Sequence, residues 1–302
     1  ANALRTLPVV LDHAARVEAV NPDCTYINLT NPMGIVVDAL SAHTKLKTIG
    51  VCDLPGTYIR KIAGVLQHRL EDLEVDYIGL NHLGWIQDVR VRRKSMMGPL
   101  LERIENGAGD GFDVDTIKLF RMIPARPVSD YFRAPKIVEE QRRGGAHRAQ
   151  MLHDAESQIL DLYRDPHLNE IPPLTRARNT PWYEETIVPL IQALEGDKKT
   201  RLILCVRNDG AIRDLPATGS VEVPVDVAAG ACKPKRVGNC PHFLLGLFVA
   251  MKESERLIVE AVRHRSYDHA LQAFAINPFV ASVDRARRIL DQVVKNEALE
   301  LH

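Results

Sequence analysis

Six residues in this sequence are of types that can do chemistry together: Asn31, Cys52, Asp53, His82, Tyr183 and Arg207. A thiolate and an imidazole can jointly bind a borderline divalent metal, and Cys52 and His82 stand thirty residues apart, each just after a short apolar run. That spacing alone leaves Cys52 open to being a small buried hydrophobe and His82 a surface or packing residue. Asp53 directly follows Cys52, where it fits either a general acid or the cap of a helix beginning near Gly56. Tyr183 lies in the run Trp182-Tyr183-Glu184-Glu185 and fits a phenolate base or an aromatic plug at a helix start. Asn31-Pro32 and Arg207-Asn208 before Gly210 both fit turns. An arginine there also suits a phosphate, because its guanidinium offers two parallel donors.

The elements that must position these residues follow from hydrophobic spacing. Leu4, Leu7, Val10, Leu11, Ala14 and Val17 recur at helical intervals over residues 3–20, and Asn21-Pro22-Asp23 ends the run. Short apolar segments at 24–29, 47–52 and 75–80 read as strands, with helices at 35–42 and 56–67 between them. This rhythm predicts a parallel α/β sheet, with Asn31, Cys52-Asp53 and Asn81-His82 leaving one edge of it, where such sheets gather ligands. Beyond Trp85 the pattern changes: a helix at 100–104, a Gly-rich loop at 106–111, a proline-broken stretch, then a mostly helical 136–163 interrupted around Gly144-Gly145. A linker at 169–181, a helix at 184–194, a strand at 201–206 and a half-buried strand at 220–227 follow. From His242 the chain reads as helical, broken at Asn277-Pro278.

With 302 residues, 45% of them hydrophobic, the chain can bury one large or two ordinary cores. Lys plus Arg and Asp plus Glu each number 39, so no net field favours nucleic acid or an anionic membrane. No apolar run approaches the roughly 18 residues of a spanning helix, and residues 1–10 lack the blocks of a signal peptide, so a cytoplasmic location is expected. Cys24, Cys52, Cys205, Cys232 and Cys240 are scattered and odd in number, which argues against a disulfide framework.

Taken in order, TNPMGIV at 30–36, IGVCDLP at 49–55, VDYIGLNHLGW at 75–85 and VRNDGAI at 206–212 closely resemble the motif series of glycoside hydrolase family 4. The best match is to its 6-phospho-β-glucosidase branch, and it extends through ALRTLPVVLD at 3–12, LYRDP at 162–166 and VEVPVDV at 221–227. The resemblance implies an α/β fold with an incomplete Rossmann-like parallel sheet over 1–84, then a lactate/malate dehydrogenase-like α+β substrate and oligomerisation domain over 85–302. It implies a hydrolase of phosphorylated disaccharides or aryl glycosides that uses NAD and a divalent metal, usually manganese, and forms a homodimer or homotetramer.

By the same resemblance Cys52 and His82 hold the metal, Asn31 and Arg207 grip the substrate, Asp53 assists the leaving group and Tyr183 abstracts a proton. The surroundings of Tyr183, NTPWYEET, depart from the family's Gly-Gly-rich approach. The chemistry implied is oxidation at sugar carbon 3, deprotonation at carbon 2, elimination and water addition, the family being an exception to the two-carboxylate scheme. Alternatives are a 6-phospho-α-glucosidase or α-galactosidase of the same family, or an inactive remnant serving as a binding or oligomerisation module. Residues 1–30 contain no Gly-rich nucleotide fingerprint, so the expectation is a chain shortened at its start that alone binds NAD weakly or not at all and is inactive. Calorimetric titration with NAD checks this, and a micromolar affinity would contradict it.

Overall fold

The structure, a computed structural model, describes residues 1–144, 148–178, 183–196 and 198–302. Its strands are β1 (Thr25–Asn28), β2 (Lys47–Gly50), β3 (Leu73–Leu80), β4 (Leu83–Val91), β5 (Lys94–Ser95), β6 (Ile123–Pro124), β7 (Thr200–Arg207), β8 (Ser220–Ala228) and β9 (Ala231–Pro234). Its helices are α1 (Asn2–Val20), α2 (Met33–His43), α3 (Asp53–Leu66), α4 (Met97–Glu105), α5 (Val114–Phe120), α6 (Arg126–Phe132), α7 (Ala134–Arg143), α8 (Arg148–Leu162), α9 (Val188–Glu195), α10 (His242–His264), α11 (Tyr267–Ile276) and α12 (Val283–Asn296). Helices lie against a single mixed sheet, so the α/β class read from the sequence holds. Among the described residues no helix is long and apolar enough to cross a membrane.

The sheet runs β1-β2-β7-β8-β3-β4-β5, with β6 on β4 and β9 on β8. Among the described strands β1 and β2 pair in parallel; β3 is antiparallel to both its neighbours, which corrects the expected third parallel strand. The cause is local. β3 turns straight back into β4 through Asn81-His82, and a two-residue connection permits only antiparallel pairing. The β7–β8 hairpin, from much later in the chain, separates β2 from β3. One register row crosses five strands: Gly50 opposite Cys205, Cys205 opposite Glu222, Glu222 opposite Gly79, and Gly79 opposite Gly84. The carboxyl ends of β2 and β3 therefore approach this row from opposite directions, and their loops meet over the hairpin.

β8 was expected to be half-buried; instead Ser220 through Val225 and Val227 are all buried, and only Asp226 is exposed. Val221, Val223, Val225 and Val227 face a core shared with α9 and the start of α10. The opposite face carries Ser220 and Glu222, and polar partners satisfy both. Other apolar faces pack as α1, α2, α10, α11 and α12 in one cluster and α3, α4 and α5 against β3 and β4 in another. The helical region expected at 136–163 is α7 and α8, with residues 145–147 between them outside the description. In the expected 169–181 linker, Pro173–Arg178 form a 3-10 stretch, and 179–181 likewise lie outside the described residues, as does Trp182.

A buried ion network fixes α2 and α10 to β8. Lys252 Nζ donates to Asp38 Oδ2 at 2.6 Å, to Glu255 Oε2 at 2.7 Å and to Ser220 Oγ at 3.1 Å. Ser220 Oγ donates onward to the Gly34 carbonyl at 3.0 Å, and Ser220 N–H to Asp38. Burial opposes the charge on Lys252, but the carboxylates of Glu255 and Asp38 outweigh it and hold the ammonium protonated. Replacing Lys252 by Met would leave two buried carboxylates without their cation. We expect Lys252→Met to lose about 3–5 kcal/mol of unfolding free energy in urea titrations, whereas a loss of only about 1 kcal/mol would mark the network as a surface-like pair.

Candidate active site

Cys52 lies two residues beyond β2 and occupies the N-cap position of α3, 7% exposed and packed against Met33, Val37 and Cys205. Burial, with the nearby charge of Glu222, pushes its thiol pKa up to about 12, against hydrogen bonds to the sulfur from the Leu54 backbone and the Asn81 side chain. A thiol so placed loses its proton to solvent only when a positive charge beside it stabilises the thiolate. Asp53 is the first residue of α3 and makes no side-chain cap, because the helix begins three residues before Gly56 and Cys52 holds the cap position. Its carboxylate is exposed, complements the helix dipole and comes within 3.8 Å of Cys52 Sγ.

His82 takes a left-handed backbone, φ 64°, in the turn between β3 and β4. That conformation costs a non-glycine residue on the order of 1–3 kcal/mol and is held by the strands on either side. Burial lowers the imidazole pKa against a smaller opposing pull from Asp53, so the ring is neutral near pH 7 and has a lone pair to offer. Among the described residues no group of three His, Cys, Asp or Glu side chains forms a metal cage. A cation at Cys52 and His82 would thus have open positions for other ligands.

Beneath these two residues lies a group that motif reading passed over. Glu222 is 1% exposed; its Oε2 accepts from Tyr77 Oη, and its Oε1 accepts from Asn81 Nδ2 at 2.9 Å. Tyr77 reaches it across Gly84, where any Cβ would collide with the phenol oxygen, and a Cβ on Gly79 would strike the Gly84 backbone. Gly84 of GLNHLGW therefore makes room for the phenol, and Gly79 for the close approach of the Gly84 backbone. Burial raises the Glu222 pKa to about 7, against the Tyr77 and Asn81 hydrogen bonds that lower it. The available signal was a carboxylate between valines in VEVPVDV, a strand in which Asp226 reaches solvent and Glu222 does not.

Asn31 ends the β1 loop, its Oδ1 accepting from the Met33 amide at 3.4 Å. It lines a cleft of about 500 Å³ together with Asn81, His82, Ser254, Glu255 and Asn277. Asp53 lines a different cleft, of about 590 Å³, with Tyr58, Lys61, Arg126 and Arg133. Arg207, at the end of β7, pairs with Asp209 at 2.9 Å and lines a third groove beside Thr48 and Ile49. Tyr183 opens a π-type turn, Tyr183–Ile187, docked on α3 by the Glu185–Arg60 ion pair and by Thr186 against Gly56. The structure thus gathers Cys52, Asp53, Asn81 and His82 in one place, with Asn31 on the rim. Arg207 and Tyr183 stand apart from the cleft that Asn31 and His82 share.

Because Glu222 holds its proton more tightly folded than unfolded, its stabilising contribution is complete below the ordinary value of 4.5 and is lost as pH rises through about 7. In the metal-free chain we expect the urea-unfolding free energy to fall across this window by roughly 3 kcal/mol on account of Glu222. Glu222→Gln should flatten that part of the profile. An unchanged slope in the variant would contradict the assignment.

Comparison with known proteins adds a separate line of observation. The model for the family 4 glycosyl hydrolases matches residues 1–68, and that for their C-terminal domain matches residues 77–280. A probable 6-phospho-beta-glucosidase of Bacillus subtilis is 30% identical over 97% of this chain and 69% of its own length. A maltose-6'-phosphate glucosidase of Clostridium acetobutylicum is 26% identical over 98% of this chain and 71% of its own. The 6-phospho-beta glucosidase of Thermotoga maritima, solved with manganese, NAD+ and glucose-6-phosphate, superposes with a TM-score of 0.86 at 29% identity, covering 99% of this chain and 72% of that one. With more than half its length matched by one family model and a relative of this identity, the chain belongs to family 4 of the glycosyl hydrolases and is a glycoside hydrolase by descent.

Proposed function

We propose that the protein hydrolyses 6-phospho-β-glucosides by redox-assisted elimination, with a divalent cation held by Cys52 and His82. The observation that carries this reading is the approach of the β2 and β3 loops, with Asp53 adjacent to the buried Cys52 thiol and near the neutral His82 imidazole. The donor set fits manganese or a similar borderline cation: one sulfur, one nitrogen and room for hard oxygen ligands from a sugar. A cation bound there supplies Lewis-acid polarisation of a sugar oxygen, and NAD supplies a hydride acceptor for carbon 3. Relatives solved with NAD and manganese support both cofactors. Among the described residues no strand passes through a Gly-rich turn into a helix, so we assign no residue to NAD.

The chain's own groups take the remaining tasks. Asn31 offers its side-chain amide to sugar hydroxyls in the cleft it shares with His82. Asp53, which lines the neighbouring cleft, would hand a proton to the departing aglycone, directly or through water. We assign removal of the carbon 2 proton to Tyr183 and the phosphate to Arg207 on the family resemblance. Both must be brought to the sugar from where they now stand. A 6-phospho-α-glucosidase is the second reading, favoured by relatives of that specificity at 26–28% identity.

The assay is hydrolysis of an aryl 6-phospho-β-glucoside by the full-length protein with NAD, manganese and a reductant. We expect Cys52→Ser and His82→Ala each to lower kcat/KM by more than about 100-fold, since even groups supporting metal ligands cost 10–100-fold when removed. Turnover by wild type of only the α-anomer would move the assignment to the second reading. Full metal-dependent activity in Cys52→Ser would remove the metal site.

A further inference from the structure

We infer that Glu222 is a positioning residue for the metal site: through the Asn81 side chain it fixes the amide donor available to Cys52 Sγ and the turn that presents His82. This rests on the assignment of Cys52 and His82 to a divalent cation.

Three observations lead to it. First, a carboxylate whose proton is gone can only accept, so Glu222 Oε1 forces the NH2 end of Asn81, not its carbonyl, toward itself. With Nδ2 so oriented, its second hydrogen is the one available to the sulfur, and the nearby Asn81 side chain opposes the rise in the Cys52 pKa. Turned the other way, the amide would set an oxygen lone pair against the thiolate, a repulsive contact. Second, Asn81 and His82 are the two residues of the β3–β4 turn, so pinning the Asn81 side chain to β8 also restrains the strained backbone of His82. Third, Tyr77 occupies the other oxygen, Oε2, through the gap left by Gly84, which leaves Glu222 no freedom to rotate. One carboxylate on a central strand thereby orders a sulfur ligand from the β2 end and a nitrogen ligand from the β3 end.

A carboxylate is an expensive choice for that position if its only purpose is to join β3 to β8. Apolar residues of similar volume commonly stabilise a buried site as well or better. The task that needs an acceptor is the orientation of an amide, and in metal sites such outer groups set the geometry and affinity of the ligands they touch.

Cobalt(II) titration of the full-length protein tests this, because a bound thiolate gives a charge-transfer band that reports on the sulfur directly. We expect Glu222→Met and Asn81→Ala each to weaken cobalt binding by roughly 10–100-fold and to shift that band. The double variant should be no worse than the poorer single one, since both changes interrupt one path. Glu222→Gln, which can still offer an oxygen to Asn81 and an amide to the Tyr77 oxygen, should recover most of the affinity and the band position. Asn81 lies in a partly exposed turn, so its variant tests the path even if Glu222→Met folds poorly. Wild-type affinity and band in Glu222→Met or in Asn81→Ala, or additive losses in the double variant, would overturn the proposal. A wild type with no Cys52-dependent band at all would instead remove the metal assignment on which it rests.

Discussion

A carboxylate held without water at the centre of a sheet constrains everything around the candidate site. An unpaired charge there would cost several kcal/mol, so each oxygen of Glu222 must find a donor. The two donors come from β3 and its turn, Tyr77 and Asn81. Tyr77 reaches Glu222 across Gly84, where any Cβ would collide with the phenol. Three stretches far apart in sequence, around residues 52, 82 and 222, are thus one device. Its parts make sense only when the β7–β8 hairpin lies between β2 and β3.

That insertion also explains how antiparallel strands produce what a parallel sheet was expected to produce. β2 and β3 run in opposite directions, yet both stop at the row through Cys205 and Glu222, so their loops face each other. The buried network of Asp38, Lys252, Glu255 and Ser220 then ties α2, and with it the loop carrying Asn31, to the same strand β8. Two clefts open on either side of the Cys52 and His82 loops, one reached by Asn31 and one by Asp53.

Much of this was legible in the sequence, for reasons that differ by residue. The periodic helices and the strands at 25–28, 47–50 and 73–80 follow from apolar spacing, and Cys52, Asp53 and His82 stand out because they end strands. The direction of β3 was not legible, because pairing with β8 is a contact between residues 79 and 222 that no local pattern encodes. Glu222 was hidden for a related reason: alternation in VEVPVDV looks the same whether the polar face meets water or a buried tyrosine. Asp53 looked like a helix cap because Gly56 looked like a helix start, and the true first turn begins at Asp53 itself. Arg207 and Tyr183 were chosen by resemblance, and neither shares the cleft of His82.

The central claim is that the opposed ends of β2 and β3 build a two-residue cation site. Anomalous difference scattering from crystals of the full-length protein soaked in manganese tests it most directly. The account predicts a peak bonded to both Cys52 Sγ and the His82 imidazole, with Asn81 Nδ2 against the sulfur. A peak elsewhere, or one bonded to neither residue, would contradict it.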